Sequence, residues 1–213
     1  MKLKLNQYRN QICVIIAVGF SILLTGCIVR KQALDQKIQA TQEHLASEVL
    51  RFHVLANSDS DDDQALKLKV KSGIIEYMQE QLPESNSIRE TKEWAQANQQ
   101  EITETAENII QEEGYDYLVS VAVTNCYFPD KKYGDVIFPA GQYEALRVEI
   151  GEAKGRNWWC VLYPNLCFID ATTAVVSEEG KEDLQEVLEE EEYEMVTATS
   201  EFKIKWYFFG DEE

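Results

Sequence analysis

"RFHVLANSDSDDDQALKLKVK", residues 51–71, changes period in its middle, and that change decides the fold class. From Leu50 to Ala56 the pattern has period two, with Leu50, Phe52 and Val54 on one face of a short strand. Asn57 to Asp63 then stops the strand and opens a helix. Ser60 suits the N-cap, Asp63 the capping-box position, and Asp61 to Asp63 stack acid into the positive first turn. Leu66, Val70, Ile74, Met78 and Leu82 succeed it at steps of four, one face of a helix that Pro83 ends. A strand running directly into an amphipathic helix excludes an all-α or an all-β chain.

Downstream the same two periods recur. Ile88, Ala95, Ile102 and Ile109 repeat every seven residues and predict one half-exposed helix over about 87–112, with Gly114 as its stop. Tyr117, Val119, Val121 and Val123 alternate, as do Leu146, Val148 and Ile150. Trp158 to Tyr163 is an apolar run, and Phe202, Ile204, Trp206 and Phe208 alternate near the C-terminus. These predict strands separated by the turns at 139–141 and 151–155. Residues 178–194 hold ten acids and one lysine, and form either an acidic amphipathic helix or a spacer. The expectation is a single α+β domain over 49–213. It has a mainly antiparallel or mixed sheet of about five strands and two to three helices, the two early ones on one face.

The N-terminus is of another kind. Lys2, Lys4 and Arg9 precede an apolar run from Ile12 to Leu24, which ends in Leu24-Thr25-Gly26-Cys27. A stretch of 13 residues broken only by Gly19 and Ser21 suits a signal peptide, and the tetrapeptide matches a lipobox with Cys27 as the lipidation candidate. An uncleaved anchor is the alternative, since extension through Val29 approaches spanning length. Both readings of 1–27 export the rest of the chain, and residues 28–48 read as a polar tether.

The chain carries a formal charge of −18. Without residues 1–27 the 20 basic residues lose three, and 17 face 38 acids, for a net −21. Such a chain lacks the basic footprint of a nucleic-acid binder. It is equally unsuited to loose attachment at anionic headgroups.

The motifs of catalysis are missing from the sequence. Asp59, Asp61 and Asp63 match the opening of a calcium loop, but Gln64 stands where glycine is needed and Val70 where the bidentate glutamate belongs. His53 could pair with Cys126, Cys160 or Cys167 in a cysteine hydrolase, yet no local motif supports it. No cofactor or metal is expected. In an exported chain Cys160 and Cys167 are disulfide candidates around a Tyr-Pro-Asn turn; three buried thiols are the alternative. Trp158 and Trp159 point to opposite faces of a strand, so one of them faces solvent, a second layer or a partner.

Several stretches carry a resemblance: 51–71 above, "YFPDKKYGDVIFPAGQYEALRVEIGEAKGRNWWCVLYPNLCFID" at 127–170, and the acidic segment with its aromatic C-terminal strand. Together, over roughly 49–210, they closely resemble stage II sporulation protein R of endospore-forming bacteria. The lipobox is not part of that likeness.

The resemblance implies a protein made in the forespore and exported into the space between the forespore and mother-cell membranes. It implies an intercellular signal that activates a membrane-embedded aspartic protease of the mother cell, of the stage II sporulation protein GA type. That protease then processes the sigma-E precursor. The implied chain is a ligand and not an enzyme. On the residues themselves, the partner-facing surface is expected to include Arg51, Asn57, Asp59 and Arg147 with one of Trp158 and Trp159. The competing classes are a cysteine-dependent envelope hydrolase and a metal-binding envelope module.

Overall fold

In a computed structural model the chain is described at residues 2–83, 87–164, 176 and 178–197. It divides into two compact units, Met1–Thr41 and Gln42–Glu213. The first unit is helical, part of α1 (Lys2–Glu48). From Gln11 onward α1 is long and apolar enough to cross a membrane, and Ile12 to Val29 are exposed. That is compatible with either a signal peptide or a membrane anchor.

The second unit begins with the last turns of α1. The segment expected to be a polar tether is helical through Glu48, and Leu45 and Val49 are fully buried in the globular unit. Two apolar positions among polar neighbours are enough to dock a helix end, although too few to form a stripe in the sequence.

β1 (Leu50–Leu55) leads into α2 (Asp61–Gln81). Ser60 is the N-cap, and its hydroxyl accepts from the Asp63 amide at 3.2 Å. Leu66, Val70, Ile74 and Met78 are buried along one face, as their spacing requires.

The predicted second helix is two: α3 (Ile88–Ala97) and α4 (Gln99–Glu112). Asn98 breaks it by donating through its side chain to the Trp94 carbonyl at 2.8 Å, at φ −104 and ψ 18. A short amide side chain competes with the helical backbone in this way. Gly114 stops α4 at φ 83: its amide reaches the Gln111 carbonyl and that of Tyr115 the Ile110 carbonyl. Both bonds belong to a Schellman cap, which needs a left-handed residue.

The remaining elements are β2 (Val119–Phe128), β3 (Lys131–Tyr133), β4 (Val136–Phe138), β5 (Gly141–Ile150), β6 (Asn157–Tyr163), α5 (Glu178–Val187) and α6 (Glu190–Thr197). The main sheet is mixed, in the order β2-β5-β1-β6, and β3-β4 form a separate hairpin. β1 runs parallel to β5 and antiparallel to β6, while β2 and β5 are antiparallel. The α+β class holds, with six described helices against the two or three expected. The split at Asn98, the helical N-terminus and the acidic pair α5–α6 account for the excess. The strand expected at 202–208 lies outside the described residues.

Two cores flank the sheet. Phe52, Val54, Leu146, Val148 and Leu162 meet α2, α3 and α4 through Val70, Ile74, Ala95, Ile102 and Ile110. On the opposite face Phe128, Tyr143, Ala145 and Val161 pack with Leu45 and Val49, Phe138 of the hairpin, and Leu184, Leu188 and Val196 of α5 and α6.

Candidate functional site

β1 is buried on both faces, since β5 and β6 flank it and both sheet faces are covered. Its alternation therefore sends Phe52 and Val54 into the helical core, and Arg51 and His53 into the other. Register fixes their neighbours. Arg51 lies opposite Ala145 of β5, and His53 lies between Arg147 of β5 and Trp159 of β6.

Arg51 is fully buried, with no acidic partner among the described residues. Its guanidinium carbon sits 4.4 Å from the Phe128 ring centroid and 4.9 Å from those of Phe138 and Tyr143. Nε donates to the Cys160 carbonyl at 3.0 Å and Nη2 to the Tyr133 hydroxyl at 3.1 Å. Ring faces partly replace the missing counter-charge, because desolvated cation–π contacts reach about 2 kcal/mol.

His53 stacks on Trp159 with ring centroids 3.8 Å apart and planes 13° from parallel. Its Nδ1 is 4.0 Å from the Cys126 thiol. Burial, reinforced by Arg147, Arg51 and Lys131, lowers its pKa to about 3, so the ring is neutral near pH 7. Burial also pushes the Cys126 thiol up, outweighing the opposite pull of Arg147 and Arg51. Thiol and imidazole are both held in their neutral forms, the reverse of an activated thiolate–imidazolium pair.

Arg147 pairs with Glu149 at 2.7 Å, and Lys131 lies 5.2 Å from the centroid of the Trp159 ring. Among the described residues three buried side-chain nitrogens have no hydrogen-bond partner: Arg51 Nη1, His53 Nε2 and Arg147 Nε.

The two tryptophans part as expected. Trp158 packs against the helical core, edge-on to Phe52 at 5.6 Å and under the Lys71 ammonium at 5.1 Å. Trp159 serves the opposite core.

Asn57 and Asp59 act at the β1–α2 turn. Asn57 donates to Asp63 at 2.9 Å and accepts from the Glu152 amide at 3.0 Å; Asp59 accepts from the Arg156 amide at 2.6 Å. Gly151, at φ 57, lies so close to the Asn57 side chain that a Cβ there would collide with it. Burial pushes the Asp63 carboxyl up, but hydrogen bonds from Ser58, Asn57, Tyr117 and Ser60 outweigh it and hold it below the usual carboxylate range. Of the three aspartates that resemble a calcium loop, Asp59 and Asp63 are thus engaged in turn and capping contacts, and Asp61 opens the first turn of α2.

The structure brings Arg51, Arg147 and Trp159 onto one face and places Asn57, Asp59 and Trp158 elsewhere. His53, Cys126 and Lys131 join that face, although the sequence does not mark them as partner-facing. Their only sequence signal is that Arg51 and His53 alternate with the core residues of what proves to be a central strand. Cys160 is buried on β6, and its candidate disulfide partner Cys167 lies outside the described residues.

The described residues form an acidic α+β domain preceded by an apolar helix, with a cationic and aromatic sheet face and no activated catalytic pair among them. A family model for stage II sporulation protein R matches residues 46–173. Stage II sporulation protein R of Bacillus subtilis (strain 168) is 34% identical over 191 residues, covering 88% of this chain and 85% of the relative. No solved structure matches. The chain belongs to the stage II sporulation protein R family and so to the proteins of sporulation.

Proposed function

We propose that this chain is an exported signal of endospore formation that activates a membrane-embedded aspartic protease of the mother cell, of the stage II sporulation protein GA type. Activation leads to processing of the sigma-E precursor. Membership of the family over most of the chain carries the reading. The apolar N-terminal helix suits export from the forespore into the space between the two membranes.

In this reading residues 1–27 are the leader or anchor, with Cys27 as the lipidation candidate. Residues 28–48 lead to the signalling domain of 49–213, where Cys160 and Cys167 remain the disulfide candidates. The domain acts by contact and breaks no bond. Its contact surface draws on Arg147 and Trp159, with Arg51 buried on the same face, and on Asn57, Asp59 and Trp158.

Co-producing the full chain with such a protease and its sigma precursor in a non-sporulating host tests the proposal. Cleavage that requires the chain is expected; none in the presence of all three would end it. Arg147→Ala, on a half-exposed side chain, should leave folding largely intact and reduce processing. Unimpaired processing at wild-type protein level would remove Arg147 from the surface.

The Cys126–His53 contact favours a second reading, an envelope cysteine-dependent hydrolase. Both groups being neutral counts against it. Alkylation of the thiols without loss of signalling is the outcome expected here, and loss would revive the enzyme.

A further inference from the structure

The face around His53 is out of balance in both hydrogen bonds and charge. Arg51 Nη1 and Arg147 Nε are obligate donors. If the Cys126 thiol donates to His53 Nδ1, Nε2 carries the ring proton and is a third donor. All three are buried and none has an acceptor among the described residues. Leaving a donor buried without a partner costs about 1–3 kcal/mol each, so native structures rarely keep one without a reason.

Charge points the same way. Arg51, Arg147 and Lys131 all bear on His53, while Glu149 pairs with Arg147 and Asp130 acts on Tyr143. In a chain of net charge −18 this is a local reversal of sign. The flanking groups are the hydroxyl of Tyr133, held by Arg51, the buried phenol of Tyr143, and the raised thiol of Cys126. None of these supplies a negative charge near pH 7.

The three donors belong to neighbouring positions on one face of the sheet. His53 and Arg147 are register partners on adjacent strands, about 4.8 Å apart, and Arg51 is two residues from His53 on the same face. The walls are flat rings, Phe128 and Trp159, in edge contact at 4.6 Å. Arg147, Trp159, Cys126 and Lys131 are partly exposed.

We infer that Arg51 Nη1, His53 Nε2 and Arg147 Nε form a binding site for a single carboxylate group, entered past Arg147 and Trp159. The inference stands apart from the protease reading: it concerns what this face binds, whether or not any protease is activated. The carboxylate could be a free small acid or an acidic side chain of another polypeptide. The site treats the two alike, and a titration separates them.

The full chain in detergent, labelled at histidine, would be titrated with sodium acetate against sodium chloride at matched ionic strength. A short glutamate-containing peptide would form a second arm. A saturable shift of the His53 ring resonance is expected, with His44 as the internal reference for folding. Arg147→Gln should weaken acetate binding by about ten-fold or more, and Lys154→Gln should leave it unchanged. Tighter binding of the peptide would identify a polypeptide as the source, and acetate binding at least as tightly would identify a free acid. No saturable His53 response in either arm, or an Arg147→Gln chain that binds like the parent, overturns the inference. Should Arg147→Gln lose the His44 reference signal, Lys131→Gln replaces it and is held to weaker acetate binding, parent-like binding again overturning the inference.

Discussion

The two faces of the central strand are built on different physics. Leu50, Phe52 and Val54 enter a core of aliphatic and aromatic side chains under α2, α3 and α4. Arg51 and His53, interleaved with them, enter a core that holds a guanidinium, an imidazole and a thiol among aromatic rings. Apolar burial on the first face is non-directional and stabilises in proportion to area. On the second face burial is offset by desolvation, and what remains depends on specific partners. The first face secures the fold; the second retains unpartnered donors, as functional surfaces tend to do.

The strongest test of that contrast is Phe52→Ala. Removing a fully buried phenyl should cost about 3–5 kcal/mol in denaturant unfolding of the full chain, with an unchanged denaturant slope. A loss below about 1 kcal/mol would mean the helical face is not the stabilising one.

Acid should act through the other face. The folded pKa of His53, about 3, is below its unfolded value of 6.5, so between them the unfolded chain binds more protons. The stability present above pH 6.5 is therefore lost as pH falls toward 3, by up to about 1.4 kcal/mol per pH unit. His53→Phe should flatten that limb, and an equally steep limb in the variant would deny His53 the role.

Arg51→Met preserves bulk while removing the charge, the ring contacts and the bond to the Cys160 carbonyl. The expected loss is about 1–3 kcal/mol, less than for Phe52→Ala, because the desolvation of an unpaired cation disappears with it. A larger loss than that of Phe52→Ala would invert the comparison.

Ser60→Ala is the smallest perturbation. It removes the N-cap bond of α2, which roofs the apolar face, and should cost about 1 kcal/mol in thermal or denaturant unfolding. No measurable change would show that the Asn57–Ser58–Asp63 contacts hold the helix start without it.

Much of this architecture is written locally in the chain. The strand-to-helix change at Asn57–Asp63, the Ser60 cap, the buried stripe of α2, the Gly114 stop, four of the strands and the apolar N-terminal segment all depend on neighbours within a few residues. Periodicity and capping report such neighbours directly. The break at Asn98 is also local but silent, because an asparagine inside a helical pattern signals a cap only when its side chain turns back on the backbone.

Only the tertiary structure decided the strand order, with β5 inserted parallel to β1 and β6 closing its other side. That order makes β1 central, buries Arg51 and His53, and gathers Arg147, Trp159, Cys126 and Lys131 around them. A single sequence records which face of a strand is apolar, but not which strand lies beside it. Long-range pairing depends on the summed packing of distant segments, and no local pattern carries that sum.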